Sequence, residues 1–127
     1  MSKPILIYFN PDCFTQVDDT VLRHLTSDFT VVWFYMYESI YANEMRYGPQ
    51  KAKEYSEKYG ISLEIVDPKV RRRNPKNLLF YWKVASKINS YKPDVVYACN
   101  VFPFWMLTYR FIKCKIKVFG VHDAVRH

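Results

Sequence analysis

Glycine is scarce in this chain, with three residues in 127. The turn after the first apolar run, Asn10-Pro11-Asp12-Cys13-Phe14-Thr15-Gln16, contains none. A Gly-x-Gly-x-x-Gly turn is what lets a pyrophosphate approach the backbone closely, so its absence argues against a dinucleotide-dependent dehydrogenase. There is no Gly-Lys-Ser/Thr phosphate loop, and no serine stands in a nucleophile elbow. Cysteine is equally sparse. Cys13, Cys99 and Cys114 are odd in number and lack paired spacing, so neither a disulfide framework nor a zinc site is indicated. His122 and His127 are five apart, a poor spacing for a metal pair. No metal and no cofactor is expected. No apolar run approaches the ~18 residues that cross a bilayer. The opening residues are interrupted too soon for a signal peptide, and a cytoplasmic location is expected.

Apolar and aromatic residues, by contrast, are plentiful. Half the chain is hydrophobic and 18% is aromatic, with 11 tyrosines. That composition implies a single domain over residues 1–127 with one well-filled core. The net charge of +7 favours anionic partners. Nucleic acid is not expected, because no reading module or basic-aromatic interleaving is present.

Taken in order, residues 4–9 form a continuous apolar run, as in a strand buried on both faces. Asn10 and Pro11 are read as breaking it. A helix is predicted from about Thr15, with Val17, Val21 and Leu25 as its buried stripe and His24 at the stripe's border. Residues 29–36 predict a second strand, rich in β-branched and aromatic side chains. The segment 37–48 is polar and mixed and has no clear assignment. A helix over 50–59, with Ala52, Tyr55 and Tyr59 on one side, stops at Gly60. Residues 61–66 alternate apolar with polar, as in a strand near a sheet edge.

Arg71, Arg72 and Arg73 lie in a loop between two prolines, the densest positive charge in the chain. They are candidates for contact with a phosphate or an anionic membrane surface. A long helix is predicted over 75–91, with Leu78, Trp82 and Ala85 in one row and Tyr81, Val84 and Ile88 in the next. Lys92-Pro93 ends it. Residues 94–99 predict a fourth strand, 102–114 an aromatic helix and 116–121 a fifth strand.

Strands alternating with helices imply right-handed crossovers. The expected fold is α/β, Rossmann-like: a doubly wound, five-stranded parallel sheet in order 3-2-1-4-5, with helices on both faces. Ligands bind such sheets at the carboxyl ends of the strands, where the order reverses. Asn10, Asp12, Asn100, His122 and Asp123 all follow strand ends and are the candidate site residues, with His127 beside them. Glu38 and Asp67 also follow strands and are read as ordinary loop residues. A phospho-accepting receiver would want paired acids after strand one and a lysine after strand five; here strand five runs into His122-Asp123.

Two stretches carry a family resemblance. Lys92-Pro93-Asp94-Val95-Val96-Tyr97 resembles the approach to the fourth strand in the N-terminal half of GT-B-fold glycosyltransferases. Val121-His122-Asp123-Ala124-Val125-Arg126-His127 is similar to the histidine-bearing turn after the fifth strand in family-4-like members. The basic loop and long helix before Lys92 also fit. The resemblance implies a nucleotide-sugar glycosyltransferase of polysaccharide biosynthesis whose acceptor-side domain this is. Its donor would be held by a further C-terminal domain, and its acceptor would be a saccharide or a lipid-linked sugar. His122 would be the catalytic residue, with Asn10, Asp12, Asn100, Asp123 and His127 binding substrate. Where many members have a Gly-Gly turn after strand one, this chain has Asn10-Pro11. Peripheral contact with the inner face of the membrane is a further expectation. The chain by itself is expected to be inactive. The reading from a different class is a non-enzymatic flavodoxin- or receiver-like binding domain that acts through protein contacts.

Overall fold

The computed structural model describes residues 3–11, 23–44, 48–71, 73–99 and 109–120. Five strands are present: β1 (Ile5–Pro11), β2 (Thr30–Met36), β3 (Ser62–Val66), β4 (Val95–Cys99) and β5 (Ile116–Gly120). They form one sheet in the order β3-β2-β1-β4-β5, with every neighbouring pair parallel. This is the expected Rossmann-like topology. The order reverses between β1 and β4.

Strand periodicity sorts the side chains into two cores. Ile7 and Phe9 of β1, Val32, Phe34 and Met36 of β2, and Val96 and Ala98 of β4 face one side. There they meet Tyr81, Val84, Ala85 and Ile88 of a long helix, α2 (Asn77–Ser90). Leu6, Tyr8, Val31, Trp33 and Tyr35 face the other side, against Ala52 of α1 (Gly48–Tyr59), with Ile61 and Leu25. β1 and β2 are thus buried on both faces, which is why their sequences read as unbroken apolar runs. Fully burying a side chain such as Phe9 or Met36 contributes roughly 1.5–3 kcal/mol.

Several expectations change in detail. β1 does not stop before Asn10: it runs through Asn10 and Pro11, which pair with Tyr35 and Met36. Proline is tolerated there because the ladder is ending and needs no further donor. The unassigned stretch contains a 3-10 helix, Ser39–Glu44, kinked at Tyr41. Residues 23–25 are helical and Leu25 packs on the core, while His24 is exposed. The rest of that first predicted helix, from Thr15, lies outside the described residues.

The two rows assigned to α2 do not share the core equally. Tyr81, Val84, Ala85 and Ile88 are buried, whereas Leu78 and Trp82 are exposed. A helix packed against one sheet buries a single stripe, and the Ile88 row takes it together with Ala85 of the other row. The aromatic helix expected over 102–114 does not reach Cys114. Tyr109–Phe111 is a single 3-10 turn and residues 112–114 are irregular. The Lys113 amide donates to Asn89 Oδ1 (2.7 Å) and Ile112 turns into the core, so the chain leaves the helical path.

β3 and β5 are the sheet edges. At β3, Glu64 accepts hydrogen bonds from the Tyr91 hydroxyl and from Lys87 (2.9 Å), which seals the end of α2 onto the edge. At the amino end of the sheet, Lys92 has φ of 51° and Pro93 is buried, so the chain turns sharply into β4. The Lys92-Pro93-Asp94 motif is therefore a device of the fold, at the edge opposite the candidate site.

Candidate functional site

Because every strand is parallel, all five carboxyl ends emerge on one edge. Asn10 lies at the end of β1, beside β4, where the order reverses. Cys99 and Gly120 form the last pair of β4 and β5. Asp12, Asn100, His122, Asp123 and His127 continue from these ends and lie outside the described residues, as does Arg72. The fold thus brings the strands that carry Asn10, Asn100 and His122 side by side in the order β1-β4-β5. It places Arg71 and Arg73 at the opposite, β3 side, both exposed to solvent.

The β2 and β3 ends are closed by a carboxylate. The Tyr37 amide donates to the Val66 carbonyl (2.9 Å), extending the ladder by one bond. Asp67 Oδ1 then accepts from the amides of Ser39 (3.3 Å) and Lys69 (3.0 Å), joining the two loops. Lys69 has φ of 61°, and the Asp67 bond holds that left-handed residue in place. Asp67 is a loop residue, as expected, with a structural task.

Glu38 is not an ordinary loop residue. It is 2% exposed, one of the most deeply buried polar side chains among the described residues. Its carbonyl accepts the Tyr41 amide (2.9 Å), which opens the 3-10 turn. The signal for its burial is parity: Val32, Phe34 and Met36 occupy the even positions that face α2, and Glu38 is the next even position. Its burial at the carboxyl edge, one strand from the reversal point, adds Glu38 to the candidate residues, where composition alone read it as ordinary loop polarity.

The basic loop is shaped from beneath by two asparagines. The Asn77 side chain, buried at 2% exposure, donates to the Arg71 carbonyl (2.8 Å), and the Asn74 amide donates to the same oxygen (2.9 Å). Asn74 Oδ1 accepts the Lys76 amide (2.9 Å), satisfying a donor at the start of α2. Arg71 and Arg73 are therefore displayed on a braced turn. No spacing rule in the sequence marks Asn77 for this work, since it is defined only by what lies above it.

No match is found among protein-family models, curated proteins or solved structures. Function therefore rests on the chemistry of the edge itself. Among the described residues no three His, Cys, Asp or Glu side chains are grouped to hold a metal ion. At Cys114 burial pushes the thiol pKa up, outweighing the nearby Lys117 charge, and Sγ donates to the Ile116 carbonyl (3.2 Å). No helix among the described residues is long and apolar enough to cross a membrane.

Proposed function

We propose that this chain is the acceptor-side domain of a glycosyltransferase that moves a sugar from a nucleotide-sugar donor to a saccharide or lipid-linked acceptor. The observation that carries the reading is the parallel sheet reversing between β1 and β4, with Asn10 at the point of reversal. A crevice at such a point is where α/β sheets bind ligands. The resemblance of the 92–97 and 121–127 stretches to GT-B-fold enzymes selects sugar transfer from the chemistries such an edge supports.

In this reading His122 is the catalytic residue. As the bond between sugar and phosphate breaks, an N–H aimed at the developing charge lowers the barrier. Asp123 orients the imidazole. Asn10, Asp12, Asn100 and His127 hold acceptor hydroxyls. Arg71, Arg72 and Arg73 meet anionic groups, either phosphates of a lipid-linked acceptor or headgroups at the cytoplasmic face of the membrane. The donor nucleotide is bound by a further domain, and no metal or cofactor takes part.

The test is nuclear magnetic resonance on the 127-residue chain with a panel of saccharides and nucleotide sugars. Expected are shifts at the Asn10, Cys99 and Gly120 amides with an acceptor saccharide, and no release of nucleotide. Release of nucleotide by this chain would overturn the division of labour. Shifts confined to the amino edge of the sheet would overturn the site. With its donor-binding domain attached, His122→Ala should lower kcat by about two orders of magnitude; an unchanged rate removes His122 from the mechanism.

A further inference from the structure

One flank of the exposed side of α2 is apolar where a surface helix should be polar. Leu79 is 57% exposed and Trp82 52%, with Leu78 beside them. Leu78 and Trp82 are four apart and Leu79 and Trp82 three apart, so the three adjoin on one helix flank. Phe111, 57% exposed, joins them from another part of the chain. Asn89 holds it there: its Nδ2 donates to the Phe111 carbonyl (2.9 Å) while its Oδ1 accepts the Lys113 amide. Trp82, Ala85, Phe111 and Lys113 contribute to the walls of a shallow groove of about 220 Å³. A contiguous exposed apolar surface built from bulky side chains marks an interaction site.

The charge of this part of the chain identifies the partner. Between Asp67 and Asp123 the sequence carries twelve lysines and arginines and one acid, Asp94. Asp94 lies at the amino edge of the sheet, where its carboxylate accepts the Ile5 amide (2.9 Å). α2 itself contains no acid, and the only carboxylate paired with it in an ion pair among the described residues is Glu64, which neutralises Lys87. Lys76, Lys83, Arg110 and Lys113 remain exposed, with Arg71 and Arg73 on the loop before the helix.

We propose that the α2 face docks on an anionic lipid bilayer, with Leu79, Trp82 and Phe111 in the headgroup–acyl boundary and the surrounding lysines and arginines on lipid phosphates. Tryptophan and aliphatic side chains ringed by basic residues are the composition of an interfacial helix face. Lysine stems lie along the apolar surface and carry their charge to the headgroups. Leu78, Leu79 and Trp82 lie in the first half of α2, nearer the carboxyl edge of the sheet, so docking through them holds that edge near the membrane surface, within reach of an acceptor carried on a lipid. The inference extends the proposed anionic contact of the basic loop to a defined face, and it holds whether or not the edge handles sugars.

The experiment is flotation of the full chain with vesicles of phosphatidylcholine containing one-third phosphatidylglycerol, and with phosphatidylcholine alone, at low and high salt. Binding is expected to the anionic vesicles and to weaken with salt. The Leu79→Ser/Trp82→Ser double variant, whose side chains are exposed and whose fold is checked by circular dichroism, should bind at least about tenfold more weakly. Arg71→Gln and Arg73→Gln should each cost about fivefold. Equal binding by the double variant, or no binding by the wild-type chain, overturns the proposal. Binding that depends on Arg71 and Arg73 but not on Leu79 and Trp82 overturns it too, while sparing the basic-loop contact. Self-association without vesicles that the double variant abolishes would assign the face to a second copy instead.

Discussion

Asp94 and Ile5 are bonded to each other twice. The Ile5 amide donates to the Asp94 carboxylate and the Asp94 amide donates to the Ile5 carbonyl, each at 2.9 Å. The pair sets the register between the starts of β1 and β4, the two strands that flank the reversal point. Asp94→Ala removes a charge-assisted acceptor and should cost about 1–2 kcal/mol in urea unfolding. Asp94→Asn keeps an acceptor and should cost less. A neutral Asp94→Ala would mean that the strand ladder alone aligns β1 with β4.

The Tyr91–Glu64–Lys87 network predicts a pH dependence at both ends of the scale. The bond to Glu64, followed by burial, pushes the Tyr91 phenol up to about 12 from its ordinary 10. The folded state therefore holds the phenolic proton more tightly than the unfolded state. Its stabilising contribution is complete below pH 10 and disappears as pH rises towards 12. Burial tends to raise the Glu64 pKa, but the bonds from Tyr91 and Lys87 and the Lys87 charge bring it below the ordinary value. That contribution is complete above the ordinary carboxylate range and declines as pH falls through it. Tyr91→Phe should lose about 1 kcal/mol near neutral pH and remove the alkaline decline. Tyrosinate absorbance should show one late-titrating phenol missing.

The two sides of α2 should respond oppositely to truncation. Ile88 is fully buried between α2 and the sheet. Ile88→Ala is expected to cost about 2–4 kcal/mol through lost burial and the cavity left behind. Trp82→Ala removes a larger side chain from the solvent side and should cost under about 1 kcal/mol. Chemical denaturation of both variants checks the pair; a Trp82 loss as large as that of Ile88 would show that the outer face is covered in solution.

Backbone conformation makes a further prediction at two turns. Gly60 has φ of 63° at the end of α1, with open space where a Cβ would lie. Gly60→Ala should cost about 1 kcal/mol, all of it backbone strain. Lys92 sits at φ of 51° without glycine's freedom. Lys92→Gly relieves that strain but adds entropy to the unfolded chain, so stability should stay level or rise by up to about 1 kcal/mol. Melting temperatures of the two variants should therefore move in different directions, or only the first should move.

Much of the fold was legible because strands buried on both faces admit almost nothing but apolar residues. The runs ending at Phe9 and Met36 announced β1 and β2, and the helical stretches between strands announced a parallel sheet. The site was less legible. Glu38 looked like loop polarity because composition does not say which loop residues turn inward. The Leu78 and Trp82 row is as apolar as that of Ile88, so the sequence did not say which of the two packs on the sheet. Phe111 and Asn89 are 22 residues apart, and nothing local connects them.

By itself the sequence determined the five strands, the two long helices and the parallel order, because these follow from local propensity and period. Tertiary structure decided that the Ile88 row of α2 is buried while Leu78 and Trp82 are not, that Glu38 is enclosed, and that Asp94 serves the edge opposite the carboxyl ends of the strands. Those outcomes depend on which surfaces meet. A helix has one sheet to pack against, and only the packed arrangement says which face it spends there and which it leaves to water or to a membrane.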